Sequence, residues 1–191
     1  MEISWIRIYL LAGLVLHKGV WEIMKARQGA RAAKKTRPPL ARVLSAIKVA
    51  VLLAILAQTL TPEILPISAD PSTLRASGLA LYTLGLLIAV AGRVQLGRNW
   101  SDIEAAQVKQ NHAVVSHGLY RYVRHPIYTG DVLLVAGLEL ALNSWLVLGT
   151  LALAVYVRRQ AIREERQLGQ ALPGYDQYCR RTARFVPFLP V

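Results

Sequence analysis

Apolar residues fall into five blocks separated by short polar segments. Residues 3–24 are mostly apolar, long enough as a helix to cross about 30 Å of hydrocarbon. Arg7, His17, Lys18 and Glu22 interrupt them. Arg7 sits near one end, where its long stem can carry the charge to the interface. Lys18 and Glu22 are four residues apart and share a helix face. Residues 43–60 form a second block with one charge, Lys48, and residues 74–97 a third, entering at Arg75 and leaving around Arg93. In the third block Gly78, Gly85 and Gly92 recur every seven residues, and small residues at that spacing let another helix come close. Residues 126–142 and 144–160 supply two more blocks, joined by a tight turn at Asn143-Ser144. The pattern predicts an all-α, polytopic membrane helix bundle of about five transmembrane helices. We read one integral membrane domain over 1–191, with N-terminal helices in 1–96 and a motif-bearing region in 97–191.

The charges between the blocks alternate in net sign along the chain. Residues 25–42 hold Lys25, Arg27, Arg31, Lys34, Lys35, Arg37 and Arg42 with no acid, and Pro38-Pro39 breaks any helix there. Residues 61–73 have Glu63 and Asp70 but no Lys or Arg. Residues 98–125 and 158–191 are basic again. The positive-inside rule puts the three basic segments in the cytoplasm and the N-terminus outside, with the basic segments able to touch anionic membrane lipids.

Composition fits this picture. The chain has 191 residues, 54% of them hydrophobic, and a net charge of +12; its mean hydropathy is +0.34. A basic chain raises the question of nucleic acid. Here the basic residues flank apolar blocks, so we expect no nucleic-acid partner. The single cysteine, Cys179, rules out an internal disulfide and a multi-cysteine metal site. A secretory signal peptide needs a basic n-region and a small-residue cleavage site, and neither is clear.

The densest chemistry is in residues 117–130, HGLYRYVRHPIYTG. This stretch holds His117, Tyr120, Arg121, Tyr122, Arg124, His125 and Tyr128, and then runs into an apolar block at Pro126. Proline suits the first turn of a helix, where no intrahelical bond needs its missing N–H. A polar, aromatic loop therefore feeds a helix N-terminus, whose free N–H groups favour a ligand with a carboxylate or phosphate. Glu164-Glu165, an acid pair inside a basic tail, lies on the same predicted face and asks for a partner: Arg121, Arg124, Arg163, a cationic ligand or a ribose diol. The histidines and acids show no HExxH-like spacing, so no metal is expected. No Gly-rich dinucleotide fingerprint and no nucleophile elbow occurs.

GLYRYVRHPIYTG, then EERQL, then YDQYCRRTARFVPFLP, resembles the isoprenylcysteine carboxyl methyltransferase and phospholipid methyltransferase group of integral membrane enzymes. The resemblance covers about residues 97–188, half of the chain. It implies S-adenosyl-L-methionine as methyl donor, in a cytoplasmic pocket formed by the loop, the start of the fourth helix and the C-terminal segment. By position, the implied cofactor contacts are His112, Ala113, Val114, Val115, Tyr120, His125, Pro126, Ile127, Tyr128 and Glu164. His125, Arg124 and Glu165 are the expected catalytic set. His112-Ala113-Val114-Val115 matches a family His-x-Leu-Val element with Val for Leu. Ala105 stands where the family's carboxyl methyltransferases have Gln, and Gln160 where they have a substrate-contacting Arg. The implied partner is a lipophilic acceptor from the bilayer; the resemblance says nothing of oligomeric state. Two other readings stand beside it. Sterol-reductase-like NADPH enzymes share an RHP-x-Y-x-G-D stretch, which Asp131 completes here. A non-catalytic membrane protein that keeps the fold would bind neither cofactor.

Overall fold

The computed structural model describes residues 4–27, 39–99 and 113–189. Six α-helices lie within them: α1 (Trp5–Arg27), α2 (Pro39–Leu60), α3 (Ser72–Leu96), α4 (Pro126–Ala141), α5 (Gly149–Ala171) and α6 (Tyr175–Arg181). Three short 3-10 turns, Gly97–Asn99, Gly118–Arg121 and Trp145–Leu148, accompany them. Among the described residues there is no sheet, only two isolated bridges, Pro66 to Ser144 and Val123 to Ala183. The all-α expectation holds.

The expectation of about five transmembrane helices does not. Among the described residues two helices are long and apolar enough to cross a bilayer, Ser72–Leu96 and Trp145–Ala171. The other blocks fail for separate physical reasons. α4 has 16 residues, which rise about 24 Å and fall short of the hydrocarbon thickness. It stops because the chain turns at Asn143, whose φ of 57° is left-handed; asparagine tolerates that conformation better than most residues. α1 is 23 residues long but carries Arg7, Lys18 and Glu22. In α2 the described apolar stretch is confined to Val49–Leu60.

The packing centre is the antiparallel pair α3 and α4. A Cβ at Gly78 would stand 2.3 Å from the Ala141 nitrogen, and one at Gly85 2.3 Å from the Leu134 nitrogen. From the other side, Cβ atoms at Gly130 and Gly137 would meet the backbone nitrogens of Ala89 and Tyr82 at 2.5 and 2.2 Å. Backbone therefore touches backbone along a seam with a seven-residue period on both helices. The α3 strip is the one expected; the matching α4 strip carries the same spacing and completes it.

α1 lies on this pair. Tyr82 is fully buried and its hydroxyl donates to the Leu10 carbonyl at 2.7 Å. Tyr82 reaches α1 over Gly13, which has no side chain to obstruct the ring. His17 on α1 meets Asp131 on α4 at 3.0 Å, and Gln58 on α2 donates to Glu139 on α4 at 2.8 Å. Arg7 donates to the carbonyls of Thr59, at 2.9 Å, and Thr61 at the end of α2, satisfying groups a helix terminus leaves open. At the far end Asn143 donates to Glu63 at 2.9 Å and accepts from the Ser68 N–H at 3.0 Å, tying the α2–α3 loop to the α4–α5 turn.

Candidate functional site

α4 begins at Pro126, with His125 at its N-cap position. The preceding loop is fixed before it arrives. The Leu119 N–H donates to Gln95 Oε1 at 2.7 Å, and Gly118 turns with a φ of 59° directly over that side chain, leaving no room for a Cβ. Tyr120 is buried; its hydroxyl donates to the Gly92 carbonyl at 3.3 Å, and its own carbonyl accepts from Tyr178 at 2.8 Å.

The C-terminal segment pairs with this loop. The Ala183 N–H donates to the Tyr122 carbonyl at 3.2 Å, the Arg124 N–H to the Ala183 carbonyl at 2.8 Å, and the His125 N–H to the Arg184 carbonyl at 3.2 Å. Two segments sixty residues apart thus run side by side, and their side chains converge on α5.

α5 continues well beyond the predicted end at residue 160, so Glu164 and Glu165 lie inside one unbroken helix. Its buried positions are Thr150, Val157, Ala161 and Glu164. The last three follow the i, i+4, i+7 spacing of one helix face. Val157 and Ala161 make that face apolar just before Glu164, which brings a carboxylate, 6% exposed, into the protein.

The two acids do different jobs. Glu165 accepts from Arg124 Nε at 2.9 Å, from Arg184 at 2.8 Å, and faces His125 Nε2 at 3.0 Å. Arg124 also donates to the carbonyls of Cys179, at 2.7 Å, and Thr182. Loop, helix and tail are stitched together by charge-assisted bonds. Glu164 turns the other way. It accepts from the Tyr128 hydroxyl and, at 3.4 Å, from Gln160, and lies 3.7 Å from His125 Nδ1. His125 stacks on Tyr128 at 5.6 Å between centroids and leans on Phe185 at 5.8 Å.

Burial sets the protonation of the groups around the loop. It raises the Tyr120 and Tyr175 phenols above their usual range and pushes Tyr178 up to about 12. It also raises the Cys179 thiol, against the opposing pull of Arg124. The hydrogen bond to Glu165 raises Arg184. The tyrosines here are thus neutral hydrogen-bond donors.

The structure brings together His125, Arg124, Tyr128, Glu164 and Glu165, with Tyr120 beneath. Pro126 is buried. Ile127 turns toward α3, against the open side of Gly92. The Ala113 N–H donates to Asn99 Oδ1 at 3.0 Å, and Val114 and Val115 follow it toward the Gly118–Arg121 turn. His112 lies outside the described residues, as does Ala105. Sequence reasoning did not single out Arg184 or Phe185. Arg184 was hidden among seven tail arginines, although it lies in the same FVPFLP-bearing motif.

A family model for phospholipid methyltransferases matches residues 74–172, just over half of the chain. The chain belongs to the phospholipid methyltransferase family. Its matched segment runs from α3 through α5 and so contains the seam, the RHP loop and both acids. Protein-S-isoprenylcysteine O-methyltransferase of Schizosaccharomyces pombe is 29% identical over 122 residues, 62% of this chain and 52% of that protein. The cobalt-zinc-cadmium resistance protein CzcN of Cupriavidus metallidurans is 34% identical over 113 residues, 58% of this chain and 50% of that protein. The chain spans about half the length of these curated relatives. A solved structure of a eukaryotic intramembrane Ras methyltransferase, isoprenylcysteine carboxyl methyltransferase, superposes with a TM-score of 0.63 at 20% identity. It covers 98% of this chain and 70% of that one, and shows a shared fold. With two helices long enough to cross a bilayer, the family member has integral membrane character.

Proposed function

We propose that this family member is an S-adenosyl-L-methionine-dependent methyltransferase acting on a lipophilic acceptor drawn from the bilayer. The observation that carries the reading is Glu164. A buried carboxylate is costly unless partnered. This one holds two neutral donors and a histidine around one oxygen pair, next to the stacked rings of His125 and Tyr128. Its donor set suits the cofactor: a carboxylate for an ammonium or ribose hydroxyls, and aromatic faces for a cationic sulfur. When bound, that cofactor supplies a methyl group on a sulfonium.

The chain's own residues would then bind, orient and shield. Glu164 and Tyr128 hold polar groups of the donor. Tyr120, His125 and Pro126 would form the wall, and the resemblance adds Ile127, Ala113, Val114 and Val115 as cofactor contacts, together with His112 outside the described residues. Arg124 and Glu165 act by positioning, since each already holds the other. Alignment of donor and acceptor supplies up to ~7–11 kcal/mol in the best model systems, and closure over the site keeps water out. A carboxylate or thiolate acceptor needs no base; an amine or hydroxyl does, and we assign that role to His125, whose Nε2 faces Glu165. The arginines that follow the apolar part of α5, Arg158, Arg159, Arg163 and Arg166, support a cytoplasmic orientation of the site.

Calorimetry in detergent tests the reading, with S-adenosylhomocysteine and NADPH against wild type and Glu164→Ala. Saturable binding of S-adenosylhomocysteine, lost in the variant, is the expected result. Binding of NADPH alone would turn the assignment to a reductase, and binding of neither by folded protein would overturn both.

A further inference from the structure

A groove between the loop and the tail is lined by none of His125, Tyr128, Glu164 and Glu165. Arg121, Tyr122, Arg180, Arg181, Phe188 and Leu189 line this groove of about 450 Å³. Its three arginines are exposed and form no ion pair with any described residue. No carboxylate is among the residues that line it. The other arginines of this region behave differently: Arg124 and Arg184 are both spent on Glu165.

Beside this charge sits bare hydrocarbon. Phe188 is 89% exposed, Leu189 58% and Val186 51%. The Phe188 ring meets the Tyr122 ring edge-on, at 6.5 Å between centroids, and its backbone is left-handed at φ 65°, which is unusual for an aromatic residue. Water gains nothing from an aromatic ring held out in this way. The groove is also at a definite level. Tyr122 is four residues before α4 begins, so the groove lies beyond the N-terminal end of that apolar helix, the level at which a bilayer crossed by α3 would present its headgroups.

We propose that this groove binds an anionic phospholipid, with the headgroup phosphate on Arg121, Arg180 and Arg181 and the upper acyl chain against Phe188 and Leu189. Arginine suits phosphate through its forked donors. Arginines with no carboxylate partner among the described residues, one of them over the Tyr122 ring at 6.0 Å, beside exposed apolar side chains match an amphiphile better than a soluble anion, which would leave Phe188 and Leu189 bare. The binding requires neither the methyl donor nor an acceptor, so it stands apart from the proposed catalytic function. Its consequence is local: the lipid would brace the tail whose Arg184 completes the Glu165 cluster.

Native mass spectrometry of the full chain in detergent, with phosphatidylglycerol and phosphatidylcholine of identical acyl chains, tests this. Each basic residue near an anionic surface is worth about fivefold, so wild type should retain phosphatidylglycerol in preference by roughly a hundredfold. The preference should collapse in the triple variant Arg121→Gln/Arg180→Gln/Arg181→Gln and weaken in Phe188→Ser. The substituted side chains are exposed, so melting temperatures should stay within a few degrees of wild type. A second arm adds inorganic phosphate or glycerol 3-phosphate. Displacement of the lipid by either at comparable concentration would identify a soluble-phosphate site and overturn the proposal. Equal retention of the two lipids, or an unchanged preference in a folded triple variant, would overturn it as well.

Discussion

Arg124 Nε and Glu165 Oε1 meet at 2.9 Å across forty-one residues of chain, and both side chains are nearly buried, 5% and 12% exposed. The same carboxylate holds Arg184. Removing one member of such a group strands the others without water. Glu165→Ala should therefore destabilise the protein by about 3–5 kcal/mol. It should also free the tail, so that limited proteolysis cuts within 182–189 well before the wild type is cut. Thermal melting in detergent and mass mapping of the fragments check this; a variant as stable as wild type would show that the pair does not hold the tail.

Glu164→Gln asks a different question of the neighbouring residue. The amide keeps the shape and can still meet Tyr128 and Gln160, while the charge is gone. Melting temperature should change little. Affinity for S-adenosylhomocysteine should fall about ten- to a hundredfold, the range of a charged hydrogen bond worth ~1.5–3 kcal/mol. Loss of stability without loss of affinity would mean that Glu164 serves the fold.

The helix seam is testable at single atoms. Gly85→Ala drives a methyl into the Leu134 backbone and Gly130→Ala into that of Ala89. Overpacking costs ~1–3 kcal/mol even where side chains can yield, and backbone yields less. Gly19 has open space around its missing Cβ. Gly19→Ala should be neutral or stabilising by up to ~1 kcal/mol through helix propensity. Melting temperatures of the three variants, measured side by side, decide it.

Cys179 is the chain's one cysteine, so thiol labelling reads a single position. Burial pushes its thiol pKa up, which leaves less thiolate at any pH below the shifted value. Alkylation of the folded protein at pH 7.5 should be slower than that of glutathione and should accelerate on unfolding. The sign for stability follows: the folded state favours the protonated thiol. That contribution is full below the unfolded value and is lost as pH rises through the folded one. Labelling as fast as glutathione would place the sulfur in an open, electropositive setting instead.

Much of this arrangement is written in local chemistry. Pro126 announces the start of α4, and the seven-residue glycine spacing announces the seam, because each acts through the backbone within its own segment. The RHP loop and the acid pair are legible for the same reason. The number of crossing helices is not. α4 and α1 look apolar enough in sequence, but the turn at Asn143 and the charges of α1 shorten what each can span. The partner of Glu165 is equally hidden, since nothing local separates Arg184 from the six other arginines after residue 157. It is chosen by the bridge between Val123 and Ala183, a long-range pairing. Gln160 reads in sequence as a departure from the family's arginine; in the fold it is a neutral donor to Glu164.

The bond between Arg184 and Glu165 also sets an order of assembly. Synthesis delivers the α3–α4 seam first, with every glycine it needs between residues 78 and 137. Glu165 follows and can meet Arg124, which is already made. Arg184 leaves the ribosome nineteen residues later and supplies the second cation, which ties the tail to the loop and α5. A nascent chain stalled before that point could hold the loop on α5 through Arg124 but would lack the tail segment that pairs with Tyr122, Arg124 and His125.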